Sequence, residues 1–215
     1  MRSITMTVAL ALALSFAGAC AAQEWEVGGM ASYGFYRNLT IASPVGSAVA
    51  GFSPGTAFGA IIGHSSNGRV SGELRYTYSN SDLKLSSGGT DAGFNGVAHI
   101  IHYDLVLHPR VRHGSKVMPF LAAGGGMKLY TGTGHEVTYQ PLETIALLTK
   151  TQQIKPMISV GGGIKMILAP RLVLRAEVRD YITTFPNKII VPIPGTKASG
   201  WLNDFVPMVG ISYIF

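Results

Sequence analysis

The chain has 215 residues, one domain's worth behind a short leader, and is 47% hydrophobic but only 13% charged, with 27 glycines. Its mean hydropathy is positive, yet beyond the leader no apolar run approaches the ~20 residues of a membrane-spanning helix, which leaves a very apolar soluble sandwich or a closed barrel in lipid. The net charge of +6 is scattered singly along the chain, which argues against nucleic acid and for a weak attraction to anionic lipid headgroups.

The leader comes first. Arg2 precedes an apolar run from Met6 to Phe16 and the small residues Ala17 to Ala22, the pattern of a secretory signal cut near Ala22. Residues 1–22 are therefore expected to be a signal peptide and residues 23–215 the barrel domain. Lipidation at Cys20 is the alternative, disfavoured by Ala17 where such signals usually carry leucine. Without Cys20 the mature chain has no thiol chemistry.

Period-two alternation then recurs in eight segments: Trp25–Leu39, Thr56–His64, Val70–Ser79, Val97–His108, Val117–Thr131, Lys155–Leu168, Leu172–Ile182 and Asp204–Phe215. Each reaches or exceeds the ~9–11 residues with which a tilted strand crosses a bilayer. The third segment puts Val70, Gly72, Leu74, Tyr76 and Tyr78 on one face and Ser71, Glu73, Arg75, Thr77 and Ser79 on the other. The seventh repeats the pattern, with Leu172, Leu174, Ala176 and Val178 opposite Val173, Arg175, Glu177 and Arg179. Gly and Ala on other inner faces suit a narrow lumen.

The connections alternate in length. Ser65–Arg69, Pro109–Lys116 and Ala169–Arg171 are short and carry Asn67-Gly68, Pro109, His113-Gly114 and Pro170 as turn formers. Thr40–Gly55, Asn80–Gly96, Gly132–Ile154 and Thr183–Asn203 are long. That alternation predicts an all-β fold: an eight-stranded antiparallel up-and-down transmembrane β-barrel with short periplasmic turns and long extracellular loops. Two segments, PFLAAGGGMK from Pro119 to Lys128 and PMISVGGGIK from Pro156 to Lys165, align without gaps and mark two similar strands. Apolar stretches within the long loops, Ile145 to Leu148 and Ile189 to Val191, are read either as strands continuing above the membrane or as a short helix across the rim.

The last residues, Gly210-Ile211-Ser212-Tyr213-Ile214-Phe215, resemble the C-terminal signal read by the outer-membrane assembly machinery, on Gly210, Tyr213 and Phe215, with Met208 where a polar residue is usual. The stretch Ile154 to Tyr181, a glycine-rich strand, a tight turn and LVLRAEVRDY, is similar to a run in the outer-membrane β-barrel domain superfamily, which includes the OmpA transmembrane domain and OmpX-like barrels. The resemblance implies location in the bacterial outer membrane and partners in its lipids and assembly machinery. No peptidoglycan-binding domain is expected after Phe215.

Candidate chemistry is sparse. His64-Ser65-Ser66-Asn67 resembles the His-x-Ser-Asn of barrel-type lipid A deacylases, with Glu73 the nearest acid, but it falls at a short turn, and Ser-Asn-Gly is ordinary turn composition. His99 and His102 are spaced to opposite faces of a strand and His108 and His113 flank a turn, so no metal is expected. The three-glycine runs lack the lysine and helix of a phosphate loop, and no cofactor is expected. The inward charges Glu73, Arg75, His102, Asp104, Arg175, Glu177 and Arg179 carry more information, because on the lipid side each would cost roughly 2–4 kcal/mol near the midplane. Arg175 or Arg179 is expected to bridge Glu73, Asp104 or Glu177 and plug the lumen. The expected function is a structural or surface-interaction role for a monomeric, non-enzymatic barrel whose loops contact an extracellular ligand. A narrow channel or small-solute conduit is the alternative, and a lipid A-modifying enzyme a more distant one.

Overall fold

The structure, a computed structural model, describes residues 24–65, 69–109, 115–137, 139–196 and 198–215. The leader with Cys20, and the turn residues Asn67-Gly68 and His113-Gly114, lie outside the described residues. Eight long strands close on themselves: β1 (Glu24–Tyr36), β4 (Gly55–Ser65), β5 (Val70–Asn80), β8 (Gly96–Leu107), β9 (Val117–Gly132), β11 (Gln152–Ala169), β12 (Leu172–Thr184) and β14 (Trp201–Ile214). Every neighbour in the ring is antiparallel, and the seam is β1 against β14, from Glu26 opposite Ile214 to Tyr36 opposite Asp204. No edge is left in the ring, which satisfies the backbone where no water is available.

Alternation decides which way each residue points. On β8 the even positions Ala98, Ile100, His102, Asp104 and Val106 are buried, while Ile101, Tyr103, Leu105 and Leu107 are exposed. Exposed apolar residues continue around the waist as Phe58, Leu121, Ile158, Phe205 and Val209. Aromatic residues gather at its two margins: Tyr33, Phe35 and Trp201 near the long loops, and Tyr213 with Phe215 near the short turns, their rings stacked at 6.4 Å. An apolar belt between aromatic girdles is the surface of a barrel that sits in a bilayer.

Strand ends differ from the sequence reading where loops fold. The first segment stops at Tyr36, and Leu39, expected at its end, opens a separate strand, β2 (Leu39–Ser43). With β3 (Gly46–Phe52), β6 (Leu83–Ser87) and β7 (Thr90–Phe94) it forms a four-stranded sheet in the order β2-β3-β6-β7. The apolar stretches at 145–148 and 189–191 become neither a rim helix nor an extension of barrel strands. They contribute β10 (Ala146–Leu148) and β13 (Ile190–Pro192), which pair with each other. All four long loops then share one apolar core. Ile41, Ala50, Phe52, Leu83, Leu85 and Phe94 from the four-stranded sheet pack with Ile145, Leu148, Phe185, Ile189 and Ile190. This cap lies over the barrel mouth and continues down onto Tyr130 and Leu202 of the wall.

The belt and the cap surface make opposite demands on an added charge. Ile101→Arg, at mid-height on the belt, should lower the folding free energy in phospholipid vesicles by roughly 2–4 kcal/mol. Val49→Arg, on the outer face of the cap sheet, should change it by less than about 0.5 kcal/mol. Equal effects in urea titrations would contradict the assignment of these two surfaces.

Candidate functional site

The lumen is filled with charge. Near the short-turn end, Glu26 of β1 accepts hydrogen bonds from Lys165 Nζ at 2.6 Å and Ser212 Oγ at 2.6 Å, and Lys165 also reaches Glu73 at 3.2 Å. One layer higher, Arg75 donates to Glu73 at 2.6 Å and Arg175 donates to the same carboxylate at 3.1 Å. Arg75 also pairs closely with Glu177, and its Nη2 lies 3.0 Å from the second oxygen of that group. Above them Arg179 Nη1 sits 2.7 Å from Asp104 Oδ2 and 3.2 Å from Ser159 Oγ. His102 Nε2 approaches Asp104 to 3.2 Å, and the imidazole stands edge-on to Tyr181 at 5.2 Å.

Charge balances within this cluster. Glu26, Glu73, Asp104 and Glu177 face Arg75, Lys165, Arg175 and Arg179, all of them buried. A separate pair, Lys128 with Asp204, lies nearer the cap, also fully buried. The Lys128 ammonium stands over three rings: Tyr130 at 4.6 Å, Tyr36 at 5.4 Å and Phe52 at 5.9 Å. Phe52 belongs to the cap and stacks on Tyr130 of the wall at 5.0 Å. A desolvated cation against aromatic faces gains roughly 2 kcal/mol, so this contact ties the cap to the barrel.

The glycine runs make room for these side chains. A Cβ at Gly161 would lie 2.6 Å from Arg179 Cδ, and one at Gly163 would lie 2.6 Å from Glu177 Cβ. On β9, Cβ atoms at Gly124 and Gly126 would strike Asp104 and His102 at 2.3 and 2.5 Å. Each glycine-rich strand thus stands beside a strand of charged residues. The lysine that ends each run, Lys128 and Lys165, points inward with them.

The structure brings together all seven inward residues singled out from the sequence: Glu73, Arg75, His102, Asp104, Arg175, Glu177 and Arg179. The sequence reading missed Glu26, Lys128, Lys165 and Asp204. Their strands carry one or two inward charges among glycines and methionines, so alternation alone did not flag them. The aligned lysines of the two repeats were the available signal. Of the C-terminal triplet, Gly210 is buried, and a Cβ there would meet Met30 at 2.7 Å and Arg175 at 3.4 Å. Tyr213 and Phe215 face outward, and Phe215 closes the seam by exchanging backbone hydrogen bonds with Trp25.

The other candidates are placed less suggestively. His64 tilts against Trp25 at 5.8 Å, while Glu73 is held by Arg75, Lys165 and Arg175, so no catalytic pair forms between them among the described residues. Ser66 and Asn67 lie outside those residues. His99 faces outward and accepts or donates a 2.8 Å hydrogen bond with Tyr76. No group of three or more metal-ligating side chains is assembled among the described residues. At the short-turn mouth a cavity of about 130 Å³ is lined by Glu24, Glu26, Ser71, His108 and Lys165. Burial first, and then the nearby Lys165 ammonium, hold the His108 imidazole below its usual range.

No protein-family model matches the sequence, and no curated protein matches it in sequence. In three dimensions the chain is similar to small outer-membrane barrels. Neisserial surface protein A aligns over 89% of this chain and 97% of its own, at 14% identity and a TM-score of 0.57. The outer-membrane protein OprG from Pseudomonas aeruginosa aligns over 91% and 96%, at 14% identity and a TM-score of 0.55. The outer-membrane protein AlkL, whose structure was determined in lipid bilayers, aligns over 89% and 90%, at 14% identity and a TM-score of 0.52. The fold is that of bacterial outer-membrane barrels, with the apolar waist that membrane requires. In this architecture short turns face the periplasm and long loops the exterior.

Removing one member of a balanced buried cluster leaves its partners uncompensated. Arg175→Ala should lower the unfolding free energy by roughly 3–5 kcal/mol, read from urea unfolding in detergent micelles. Adding Glu73→Gln should recover part of the loss, because the cluster returns to neutrality. A double variant no more stable than the single one would contradict the ledger of charges described above.

Proposed function

We propose that the protein is a non-conducting, non-enzymatic outer-membrane barrel that acts through its extracellular cap, in a structural or surface-interaction role. The observation that carries this reading is the double obstruction of the lumen. A neutral ionic cluster fills the middle, and an apolar core drawn from all four long loops covers the outer mouth. A water-filled pore needs a polar path through both, and an eight-stranded barrel has an interior only wide enough for side chains to fill. Loops that bury eleven or more apolar side chains hold a fixed outer surface, which suits recognition better than passage.

Several further elements belong to the same reading. Residues 1–22 serve as the cleaved export signal, and Gly210, Tyr213 and Phe215 as the signal for the assembly machinery. The barrel works as a monomer. A non-catalytic role agrees with the engagement of Glu73 by Arg75, Lys165 and Arg175. The alternative, a narrow conduit, draws support from the periplasmic cavity beside Lys165, but that cavity ends beneath the Glu73 layer.

Planar-bilayer recording distinguishes the two. The refolded protein should show no steady conductance. Arg175→Ala, which thins the ionic layer but leaves the cap, should also stay silent or show only brief openings. Sustained single-channel conductance of the unaltered protein would overturn the closed-barrel reading in favour of the conduit.

A further inference from the structure

The four-stranded sheet of the cap has two edges, and they are treated differently. Beside β2, the chain segment after β13 runs close: a Cβ at Gly200 would meet Leu39 at 2.9 Å and one at Gly195 would meet Pro44 at 3.4 Å. Beside β7 the chain touches only past the strand's end, where the Thr133 and Gly134 amides donate to the Asn95 carbonyl at 2.8 and 3.1 Å, and it leaves a groove of about 230 Å³ lined by Asp91, Gly93, Phe94, His135, Val137 and Leu148.

The hairpin fixes which backbone groups face that groove. Ser87 pairs with Thr90 across the two-residue turn Gly88-Gly89, both at positive φ, so Ser87 and Thr90 exchange hydrogen bonds and the alternation follows from there. Leu85–Ala92 and Leu83–Phe94 are hydrogen-bonded pairs, whereas Ser86–Asp91 and Lys84–Gly93 are not. The N–H and C=O groups of Asp91 and Gly93 therefore point away from the sheet into the groove. Among the described residues nothing hydrogen-bonds to them. Both residues are exposed.

We propose that the β7 edge is a docking site at which an extended segment of a partner protein adds to the cap as a fifth strand. Donors and acceptors alternating along an exposed strand are matched by another extended backbone, and by neither a lipid nor a sugar at the same spacing. Proteins blunt such an edge with lysine, proline or a bulge, or by keeping it short and charged; Thr90 to Phe94 is five residues long and bears Asp91, but has no lysine, proline or bulge. Specificity comes from the groove: the exposed Val137, beside the buried Phe94 and Leu148, meets an apolar side chain of the incoming strand, and the Asp91 carboxylate disfavours an acidic one. This names the partner class for the surface-interaction role and rests on that reading. Its test measures binding and not conductance, so the two fail separately.

The protein in lipid nanodiscs is panned against a display library of random short peptides, and the selected peptides are resynthesised. They should be extended and apolar at alternate positions. Their binding should slow hydrogen exchange at the Asp91 and Gly93 amides, and backbone N-methylation at alternate peptide residues should abolish it. Gly93→Pro removes only an outward N–H, which an edge strand tolerates, and should weaken the peptides roughly tenfold or more. If that variant fails to fold, the N-methylated peptides give the same answer on the unaltered chain. Absence of any selected peptide, undiminished binding of N-methylated peptides, or peptides indifferent to Gly93→Pro would overturn the proposal. So would a concentration-dependent dimer that Gly93→Pro dissolves, since a second copy would then hold the edge.

Discussion

A charge placed inside a narrow barrel has to be answered by an opposite charge within reach. Moving an isolated ion out of water costs several kcal/mol even after relaxation, and this lumen holds five acids and five bases, all of them buried. The wall residues follow from that condition. Glycines on β9 and β11 give up volume so that Asp104, His102, Glu177 and Arg179 can stand beside them. Gly210 does the same on β14 for its neighbours Arg175 and Met30. Exchanging the cluster for apolar residues of equal size would not obviously lose stability. What the ionic version supplies is direction: each guanidinium donates in a fixed planar fork to the carboxylates around it.

Much of the barrel was legible in the sequence because its two environments, lipid and lumen, differ so sharply. Strand β12 reads almost directly, since Leu172, Leu174, Ala176 and Val178 alternate with Val173, Arg175, Glu177 and Arg179. The pairing of Arg175 with Glu73 followed from parity and depth. Lys128 and Asp204 were harder, each the lone inward charge at its level of its strand. Their partnership spans the barrel from β9 to β14, and no local spacing announces it.

The cap was less legible for a different physical reason. Its strands are three to seven residues long, and their pairing is set by contacts among loops far apart in sequence. Ser87-Gly88-Gly89-Thr90 is a strong hairpin signal flanked by Leu83, Leu85, Ala92 and Phe94, and its alternation is visible once the turn is recognised. Nothing in the residues of β10 says that β13 is its partner. The apolar runs were evident, but an apolar run in a loop does not reveal what it packs against.

The shared core of the cap also imposes an order of events on the newly made chain. The four-stranded sheet comes from the first two long loops and the two-stranded sheet from the last two, and their common core is complete only when all four stand around one mouth. Those loops are brought together when β1 meets β14. Until that seam closes, the loops have no complete core to join. The cap core is therefore complete only around a closed barrel, and a chain with its cap formed carries, in that fact, a certificate that its barrel is shut.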